Sequence, residues 1–331
     1  MFIVHDLNLA ILLCVITMLG WGSWANTQKL AGKEKWPFQL FYWDYAIGVL
    51  LFGAIFALTL GSAGSVGMGS IENLASASGA SVRQALFSGA LFNLSNILLV
   101  VAIDAAGMTV AFPVGVGLAL VIGTVASYLQ TPKGDPGLLF AGVGLVALAM
   151  VLSALAYRKL PRKAGSGSGR GLVFAIVAGC LMGLFYPQLM SSISPDFNTS
   201  PIRTGMLTPY TGLLLFGCGV FLSNILINTV FMRTSGLHLA DYTRGSFRLH
   251  GIGILGGMIW MLALCLNVIA SGVAGPAVSY ALGQGATLVA AVWGVFVWKE
   301  FKDAPSSATP LIASMFLGYA LGLFLIGRAT L

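Results

Sequence analysis

Charged side chains are scarce in this sequence of 331 residues. Only 8% of the residues are Asp, Glu, Lys or Arg, whereas 57% are hydrophobic. A soluble domain normally carries about a quarter charged residues. So few charges cannot keep the surface of a globular protein in water, so lipid must cover much of this chain. The composition excludes an ordinary soluble protein and predicts an all-α integral membrane protein.

Residues for enzyme and metal chemistry are also few. The four cysteines fall within apolar segments, where thiols are usually buried and inert, and they form no disulfide or metal-binding pattern. The three histidines, His5, His238 and His250, are scattered along the chain without an acid/base motif. The glycine-rich stretch GSGSGRG lacks the GK[ST] ending of a phosphate loop. We therefore expect no enzyme activity, no cofactor and no metal.

The chain does contain long apolar runs. A helix needs roughly 20 apolar residues to cross the hydrocarbon core. Ten such runs predict ten transmembrane helices, near 7–27, 38–60, 84–103, 109–130, 137–157, 171–190, 206–231, 249–270, 276–298 and 310–327. Only helices and closed barrels satisfy the backbone in lipid, and these runs lack the alternation of barrel strands.

Basic residues predict the orientation of the chain. Thirteen of the 17 Lys and Arg residues lie in the loops that follow odd-numbered helices, and the other four lie on the opposite side. Cytoplasmic loops carry the excess of basic residues, so both termini are expected outside the cytoplasm in a plasma (inner) membrane. Because the net charge of +7 lies in short loops between apolar runs, we expect no nucleic-acid partner.

A basic, glycine-rich stretch divides the chain into two halves. We predict a first five-helix repeat at 1–157, a cytoplasmic linker at 158–170 and a second repeat at 171–331. Five helices are an odd number, so the second half must enter the membrane with the opposite orientation, as in inverted-repeat transporters. The tetrapeptide LLFG at 50–53 recurs at 214–217, which supports the repeat.

Two carboxylates lie within or at the end of apolar runs. Asp44 is about two turns into the second helix, and a partly desolvated carboxylate there could take up and release a proton. The alternatives are a solvated Asp44 or one paired with Lys33 or Lys35. Asp104 ends the third helix at the cytoplasmic edge, where we expect it to be solvated. Asp44 is therefore the proton-coupling candidate.

Neutral polar and aromatic residues on several helices suggest a binding site for a small polar molecule. Indole rings stack on planar heterocycles or sugars, and amides supply donors and acceptors. Interfacial tryptophans and hydrogen bonds between helices are alternative roles for any one of them. Pro113 and Pro187 could free backbone carbonyls in a cavity or be tolerated kinks. The predicted substrate-binding residues are Trp21, Trp24, Asn93, Asn96, Tyr186, Asn267, Tyr280 and Gln284.

The chain resembles the ureide permease family of the drug/metabolite transporter superfamily. The similarity rests on the stretch YWDYAIGVLLFGAIFALTLG at 42–61, on 96–129, on 178–187 and on GQGATLVAAVWGVFVWKEFKD at 283–303. The helix plan also resembles the rhamnose–proton symporter and the glucose/ribose porters. Plant ureide permeases carry a long central cytoplasmic domain, which is reduced here to the linker.

The resemblance implies a function. It implies proton-coupled uptake of allantoin or a related compound such as a nucleobase, by alternating access between two repeats. A monosaccharide–proton symporter is the first alternative and a small-molecule exporter the second. The expected partners are a small-molecule substrate, protons and membrane lipid, and the expected assembly is a monomer or homodimer.

Overall fold

The computed structural model describes residues 1–63, 67–106, 108–160 and 169–330, without the side chains of residues 108, 109 and 112. Within these ranges the regular secondary structure is helical and no β-strand is present. One isolated bridge pairs Ile193 with Leu207. Most of the predicted linker at 158–170, namely 161–168, lies outside the described residues.

Ten helical stretches in the described part of the chain are long and apolar enough to cross a membrane. Their number confirms the prediction from the apolar runs, and the protein is an all-α multi-pass membrane protein. The stretches are Leu7–Lys33, Phe38–Leu58, Gly79–Ala106, Pro113–Gln130, Pro136–Tyr157, Gly169–Met190, Pro209–Thr234, Phe247–Ala274, Pro276–Val297 and Ser306–Arg328.

Two of these stretches extend five or more residues beyond one end of the apolar runs that predict them. The first continues to Lys33 instead of ending near residue 27, and the third begins at Gly79 instead of residue 84. The added turns carry Lys29, Lys33 and Arg83. Charged residues of this kind are good helix formers, so a helix continues past the apolar run that marks the membrane core.

The described residues form fourteen α-helices, twelve of them within the ten membrane stretches. The first membrane stretch contains α1 and α2, the ninth contains α12, α13 and a π-helical turn at Trp293–Val297, and α4 and α10 are short connecting helices. The helices are α1 Leu7–Ser23, α2 Ala25–Lys33, α3 Phe38–Leu58, α4 Ser70–Ser76, α5 Gly79–Ala106, α6 Met108–Gln130, α7 Pro136–Tyr157, α8 Gly169–Met190, α9 Pro209–Thr234, α10 Leu239–Thr243, α11 Phe247–Ala274, α12 Pro276–Gly283, α13 Ala286–Val292 and α14 Thr309–Arg328.

Side-chain caps fix the starts of several helices. Asp6, Asp135 and Thr208 each accept a hydrogen bond from the backbone N–H three residues ahead. Asp135 and Thr208 precede a proline in the first helical position. This combination satisfies one free N–H group with the cap and removes another with the proline.

The chain forms two compact units, each containing helices from both sides of the linker. Unit 1 comprises Met1–Leu94 and Gln188–Val273, and unit 2 comprises Ser95–Pro187 and Ala274–Leu331. This division describes packing, whereas the predicted repeats at 1–157 and 171–331 describe an internal symmetry. The inverted repeat stays a prediction.

Glycines let the helices of unit 1 approach at backbone distance. A Cβ atom at Gly257 of α11 would collide with the Tyr45 carbonyl of α3, and one at Gly48 would collide with the Ile254 carbonyl. Lipid provides no hydrophobic driving force between helices, so the close packing that small residues allow stabilises such crossings. The crossing holds the helix that carries Asp44 against α11.

In unit 2, helices α7 and α14 pack closely through another glycine pair. A Cβ atom at Gly142 would lie 2.6 Å from the Gly322 carbonyl oxygen, and one at Gly322 would lie 2.8 Å from that of Gly142. Each unit therefore has its own glycine-mediated crossing.

Candidate proton and substrate sites

Asp44 of α3 lies in a buried polar cluster within unit 1. Its side chain is only 1% exposed. The Tyr242 hydroxyl donates a hydrogen bond of 2.6 Å to Asp44 Oδ1, and His250 Nδ1 lies 2.9 Å from Oδ2 and 3.0 Å from Oδ1. A carboxylate can only accept, so with Asp44 ionised both partners donate to it. The cluster holds a negative charge in the membrane without a lysine or arginine contact to Asp44.

One of the two partners of Asp44, Tyr242, comes from the connection between α9 and α11. Tyr242 lies on α10, whose first turn is closed by a 2.8 Å hydrogen bond from the His238 N–H to Asp241. Burial and the neighbouring Asp44 carboxylate both raise the pKa of the Tyr242 hydroxyl. Tyr242 therefore keeps its proton and serves as a donor.

His250 lies at the start of α11 and is held by aromatic neighbours. The Trp36 ring meets the imidazole edge-on at 5.8 Å, and the Tyr242 ring lies 4.7 Å away. One turn further along α11, a Cβ atom at Gly253 would collide with the Asp44 side chain. A glycine at that position leaves the space that the carboxylate occupies.

The sequence singled out Asp44 but not its partners. Asp44 is buried and bonded to Tyr242 and His250 instead of being solvated. The sequence analysis found no acid/base motif around the three scattered histidines, and the structure places the His250 imidazole beside the Asp44 carboxylate. The contact joins residues 206 apart in the chain, which no local motif reveals.

Trp24 lies where the first membrane stretch is interrupted. The break separates α1 from α2, and the Asn26 and Thr27 side chains donate hydrogen bonds to the carbonyls of Ser23 and Trp24. The Trp24 ring lies 5.0 Å from Tyr45, which is fully buried and whose hydroxyl has no hydrogen-bond partner among the described residues. This arrangement places an aromatic face beside an unused hydroxyl group.

Trp21 has packing contacts within unit 1. Its indole N–H donates to the Trp260 carbonyl at 3.2 Å, and the two indole rings stack at 5.9 Å. Trp260 also stacks on Phe92 at 4.1 Å and on Phe216 at 5.9 Å. A role of Trp21 in substrate binding stays a prediction.

Three of the buried asparagines of unit 1 lie on α5, α9 and α11. Asn93 donates to the Ser223 hydroxyl at 2.9 Å, and its Oδ1 has no partner among the described residues. Asn267 is fully buried on α11. Asn224 on α9 is fully buried, and both its polar atoms lack hydrogen-bond partners among the described residues. The sequence analysis did not include it, although it too is an amide inside an apolar run. Buried amides of this kind normally bind water or a ligand.

Gln284 of unit 2 lies at a second helix break. Helix α12 ends at Gly283 and α13 begins at Ala286, so the amide occupies a two-residue interruption beside Gly285. The Gln284 side chain lies beside the Tyr280 hydroxyl, which donates a hydrogen bond of 3.2 Å to the Ala119 carbonyl. Broken membrane helices are the usual place for substrate groups in secondary transporters.

Aromatic rings surround this second break. The Tyr186 ring of α8 lies 4.9 Å from Tyr280, and a Cβ atom at Gly123 of α6 would collide with the Tyr280 ring. Asn96 is buried in the same unit at 6% exposure. Pro113 and Pro187 lie inside α6 and α8 and mark no break between helices.

The predicted site residues thus fall into two sets. Unit 2 brings Tyr186, Tyr280 and Gln284 together. A cavity shared by the whole predicted set stays a prediction. Unit 1 contains Trp21, Trp24, Asp44, Asn93 and Asn267, and unit 2 contains Asn96, Tyr186, Tyr280 and Gln284.

Metal-ligating side chains do not cluster in the described residues. No group of three or more His, Cys, Asp or Glu side chains is placed to hold a metal ion there. Cys14 and Cys265 are buried, while Cys180 and Cys218 are partly buried, and none of the four forms a disulfide bond.

Comparison with known proteins assigns the chain to a family. The fold and its buried polar groups define a multi-pass membrane protein built entirely from helices. A family model described as ureide permease matches residues 158–327, which is more than half of the chain. The chain belongs to the ureide permease family.

Plant proteins show the same relationship over nearly the full chain. The chain is 22% identical to Ureide permease 1 of Arabidopsis thaliana over 377 residues, covering 96% of each protein. It is 23% identical to Ureide permease 2 of the same plant over 383 residues, covering 95% of each. Both alignments are longer than the 331-residue chain, so they include positions at which this chain has no residue.

Proposed function

We propose that this protein is a secondary active transporter that takes up a small, neutral, polar metabolite together with protons. The substrate is a ureide such as allantoin, or a nucleobase. Transport follows alternating access, in which the binding site opens to one side of the membrane at a time. Membership of the ureide permease family supports the transport function and the substrate class.

The burial of Asp44 is the observation that carries proton coupling. An ionisable side chain inside a membrane helix is costly and is a functional candidate by default, with proton relays among its commonest roles. Asp44 is 1% exposed and contacts a hydroxyl and an imidazole instead of a fixed positive charge. A permanent cation would hold the carboxylate ionised, whereas these partners allow it to gain and lose a proton.

Neutral polar groups support a substrate without net charge. A ureide or a nucleobase presents N–H and C=O groups together with a flat ring. Gln284 and Tyr280 supply amide and hydroxyl groups at the break in unit 2, and Trp24 and Tyr45 supply ring faces and a hydroxyl in unit 1. Aromatic faces and a few placed polar groups are the usual composition of a small-molecule site.

The remaining assignments follow the topology. We place the protein in the plasma membrane with both termini outside the cytoplasm. The reason is that thirteen of its 17 basic residues lie in the loops that follow the odd-numbered members of the ten predicted transmembrane helices. It works as a monomer or a homodimer. A cysteine-accessibility experiment on Ser62→Cys and Ser235→Cys, which are exposed in loops of opposite predicted sides, tests this orientation.

A thermal-shift screen of the detergent-solubilised protein tests the substrate class. A ligand that binds only the folded state raises the Tm by mass action. We expect allantoin or a nucleobase to raise the Tm with a saturable dose dependence, and monosaccharides to leave it unchanged. Stabilisation by a monosaccharide alone would overturn the substrate class while leaving a carrier in place.

A further inference from the structure

His250 occupies the exposed end of the Asp44 cluster. Its side chain is 22% exposed, against 1% for Asp44. Nδ1 faces the carboxylate, and the opposite nitrogen, Nε2, lies on the side of Gly245, where an added Cβ atom would come within 2.6 Å of it. With Nδ1 donating to Asp44, Nε2 of the neutral ring is an acceptor. A proton that arrives from water therefore meets an imidazole nitrogen before the buried carboxylate.

The start of α11 connects this imidazole to the end of α2. Arg248, two residues before His250, forms an ion pair of 3.1 Å with Glu34. Trp36, two residues after Glu34, packs on the imidazole. The same turn of α11 thus contacts the connection between α2 and α3 as well as Asp44 in the middle of the cluster.

The other ionisable groups near the cluster are either neutral or paired with each other. Tyrosines flank Asp44, and the charged residues form two ion pairs. Among these groups are Tyr42 and Tyr45 of α3, Tyr242 and Asp241 of α10, which pairs with Arg244, and Arg248 of α11, which pairs with Glu34. Asp44 and His250 face each other as a carboxylate and an imidazole at 2.9 Å, and histidine is the side chain whose unperturbed pKa lies nearest neutral pH.

We infer that the proton-binding group of this carrier is the Asp44–His250 pair, with His250 as the member that exchanges the proton with water and Tyr242 as a positioning residue. This inference rests on the proposed function. One proton binds at Nε2, and the pair becomes either an imidazolium with a carboxylate or, after transfer through Nδ1, an imidazole with a carboxylic acid. The same proton leaves when the cluster opens to the other side of the membrane.

Tyr242 fixes the carboxylate for this exchange. Its hydroxyl donates 2.6 Å to Oδ1, the oxygen that is the more distant of the two from His250. Without that bond the carboxylate can rotate away from the imidazole. Tyr242 lies on a helix of only five residues in a connection, so a local movement of α10 changes the proton site.

The test compares two kinds of transport in proteoliposomes that contain the full chain. Accumulation of labelled allantoin driven by an imposed pH gradient needs the proton site, whereas exchange between labelled and unlabelled allantoin needs no net proton movement. His250→Asn keeps an N–H donor toward Asp44 and cannot be protonated. We expect the ratio of accumulation to exchange to fall at least tenfold in this variant, and exchange to lose its pH dependence between pH 5 and 8.

Two further variants, Tyr242→Phe and His5→Asn, are compared with His250→Asn in the same assays. Tyr242→Phe removes only the hydroxyl, so we expect accumulation to persist with its pH midpoint shifted, a change that a purely structural residue would not produce. His5→Asn replaces an exposed histidine outside the cluster, and its ratio and pH profile should match the wild type. A His250→Asn protein with the wild-type ratio and pH profile would overturn the inference and leave the transport function standing.

A second measurement covers the case in which His250→Asn does not fold. The chain has three histidines, so the double variant His5→Gln/His238→Gln retains His250 alone. We expect the ¹⁵N imidazole resonances of this variant to show Nδ1 protonated at high pH and Nε2 gaining a proton as the pH falls. An imidazole that keeps one protonation state from pH 5 to 8 would overturn the inference. A wild-type protein that accumulates neither ureide nor nucleobase would instead overturn the proposed function, and the inference with it.

Discussion

The polar groups inside the membrane helices differ in kind between unit 1 and unit 2. In unit 1 the Asp44 carboxylate accepts from Tyr242 and contacts His250, so the cluster contains a carboxylate and an imidazole. At the break in unit 2, the Gln284 amide lies beside the Tyr280 hydroxyl, which donates to the Ala119 carbonyl, and all three groups are neutral. Under the proposed proton-coupled transport, unit 1 is suited to proton binding, and unit 2 to neutral hydrogen bonding with substrate.

The largest expected effect comes from removing the carboxylate of unit 1. Asp44→Asn keeps the size of the side chain but cannot release a proton. We expect allantoin accumulation driven by a pH gradient to fall by about tenfold or more, because an intramembrane carboxylate of this kind carries the coupled proton. Uptake of labelled allantoin by proteoliposomes, with and without the pH gradient, measures this accumulation. Gradient-driven accumulation at the wild-type level would remove Asp44 from the coupling mechanism.

A smaller effect is expected from the helix crossing that supports the cluster. Gly257→Ala forces a Cβ atom against the Tyr45 carbonyl, whereas Gly251 on the same helix has nothing within 4 Å of an added Cβ. Overpacking of this kind costs about 1–3 kcal/mol, and Gly to Ala at an open helical position gains about 0.5–1 kcal/mol. The Tm should therefore fall for Gly257→Ala and stay level or rise for Gly251→Ala. Equal Tm values in the two variants would contradict the close crossing of α3 and α11.

The break in unit 2 should affect substrate affinity instead of coupling. Gln284→Ala removes one amide, and hydrogen bonds inside membrane proteins contribute about 0.6 kcal/mol on average and about 1.7 kcal/mol at most. The apparent affinity for allantoin should weaken by about threefold to twentyfold on that scale, with the ratio of accumulation to exchange unchanged. Gln130→Ala, at an exposed glutamine of the same unit, is the matched control. A fall in the ratio of accumulation to exchange in Gln284→Ala would contradict the assignment of proton binding to unit 1 and of substrate binding to unit 2.

The smallest effect is expected at the other carboxylate of the membrane helices. Asp104 lies near the end of α5 and is exposed, unlike Asp44. We expect water to solvate a charge near this helix end, so Asp104→Asn should leave accumulation, exchange and Tm at wild-type values. A defect in accumulation would show that exposure does not distinguish the two carboxylates.

The ten helices and the position of Asp44 inside one of them were predictable from the sequence. Apolar runs of membrane length identify spans because the bilayer sets their length, and a carboxylate within such a run is conspicuous. The helix ends were less predictable, since Lys29 and Lys33 continue the first stretch beyond its apolar part. Apolarity marks the lipid boundary, whereas capping and tertiary contacts mark the helix end.

The partners of Asp44 and the helix breaks were not predictable in the same way. Tyr242 and His250 lie 198 and 206 residues from Asp44, so only the packing of α3 against α10 and α11 brings them together. For Pro113 and Pro187 the sequence left open freed backbone carbonyls in a cavity or tolerated kinks, and both prolines lie inside helices. The breaks occur where side chains compete for backbone carbonyls, as at Trp24, or where glycines flank a residue, as at Gln284.

In the proposed mechanism, substrate and proton move together through this protein. The most direct measurement loads proteoliposomes containing the wild-type chain with a pH-sensitive dye and adds allantoin outside, without any imposed pH gradient. Allantoin entry should acidify the lumen, and the acidification should be absent from Asp44→Asn vesicles. Entry of labelled allantoin at the wild-type rate with no change in the internal pH would contradict proton coupling.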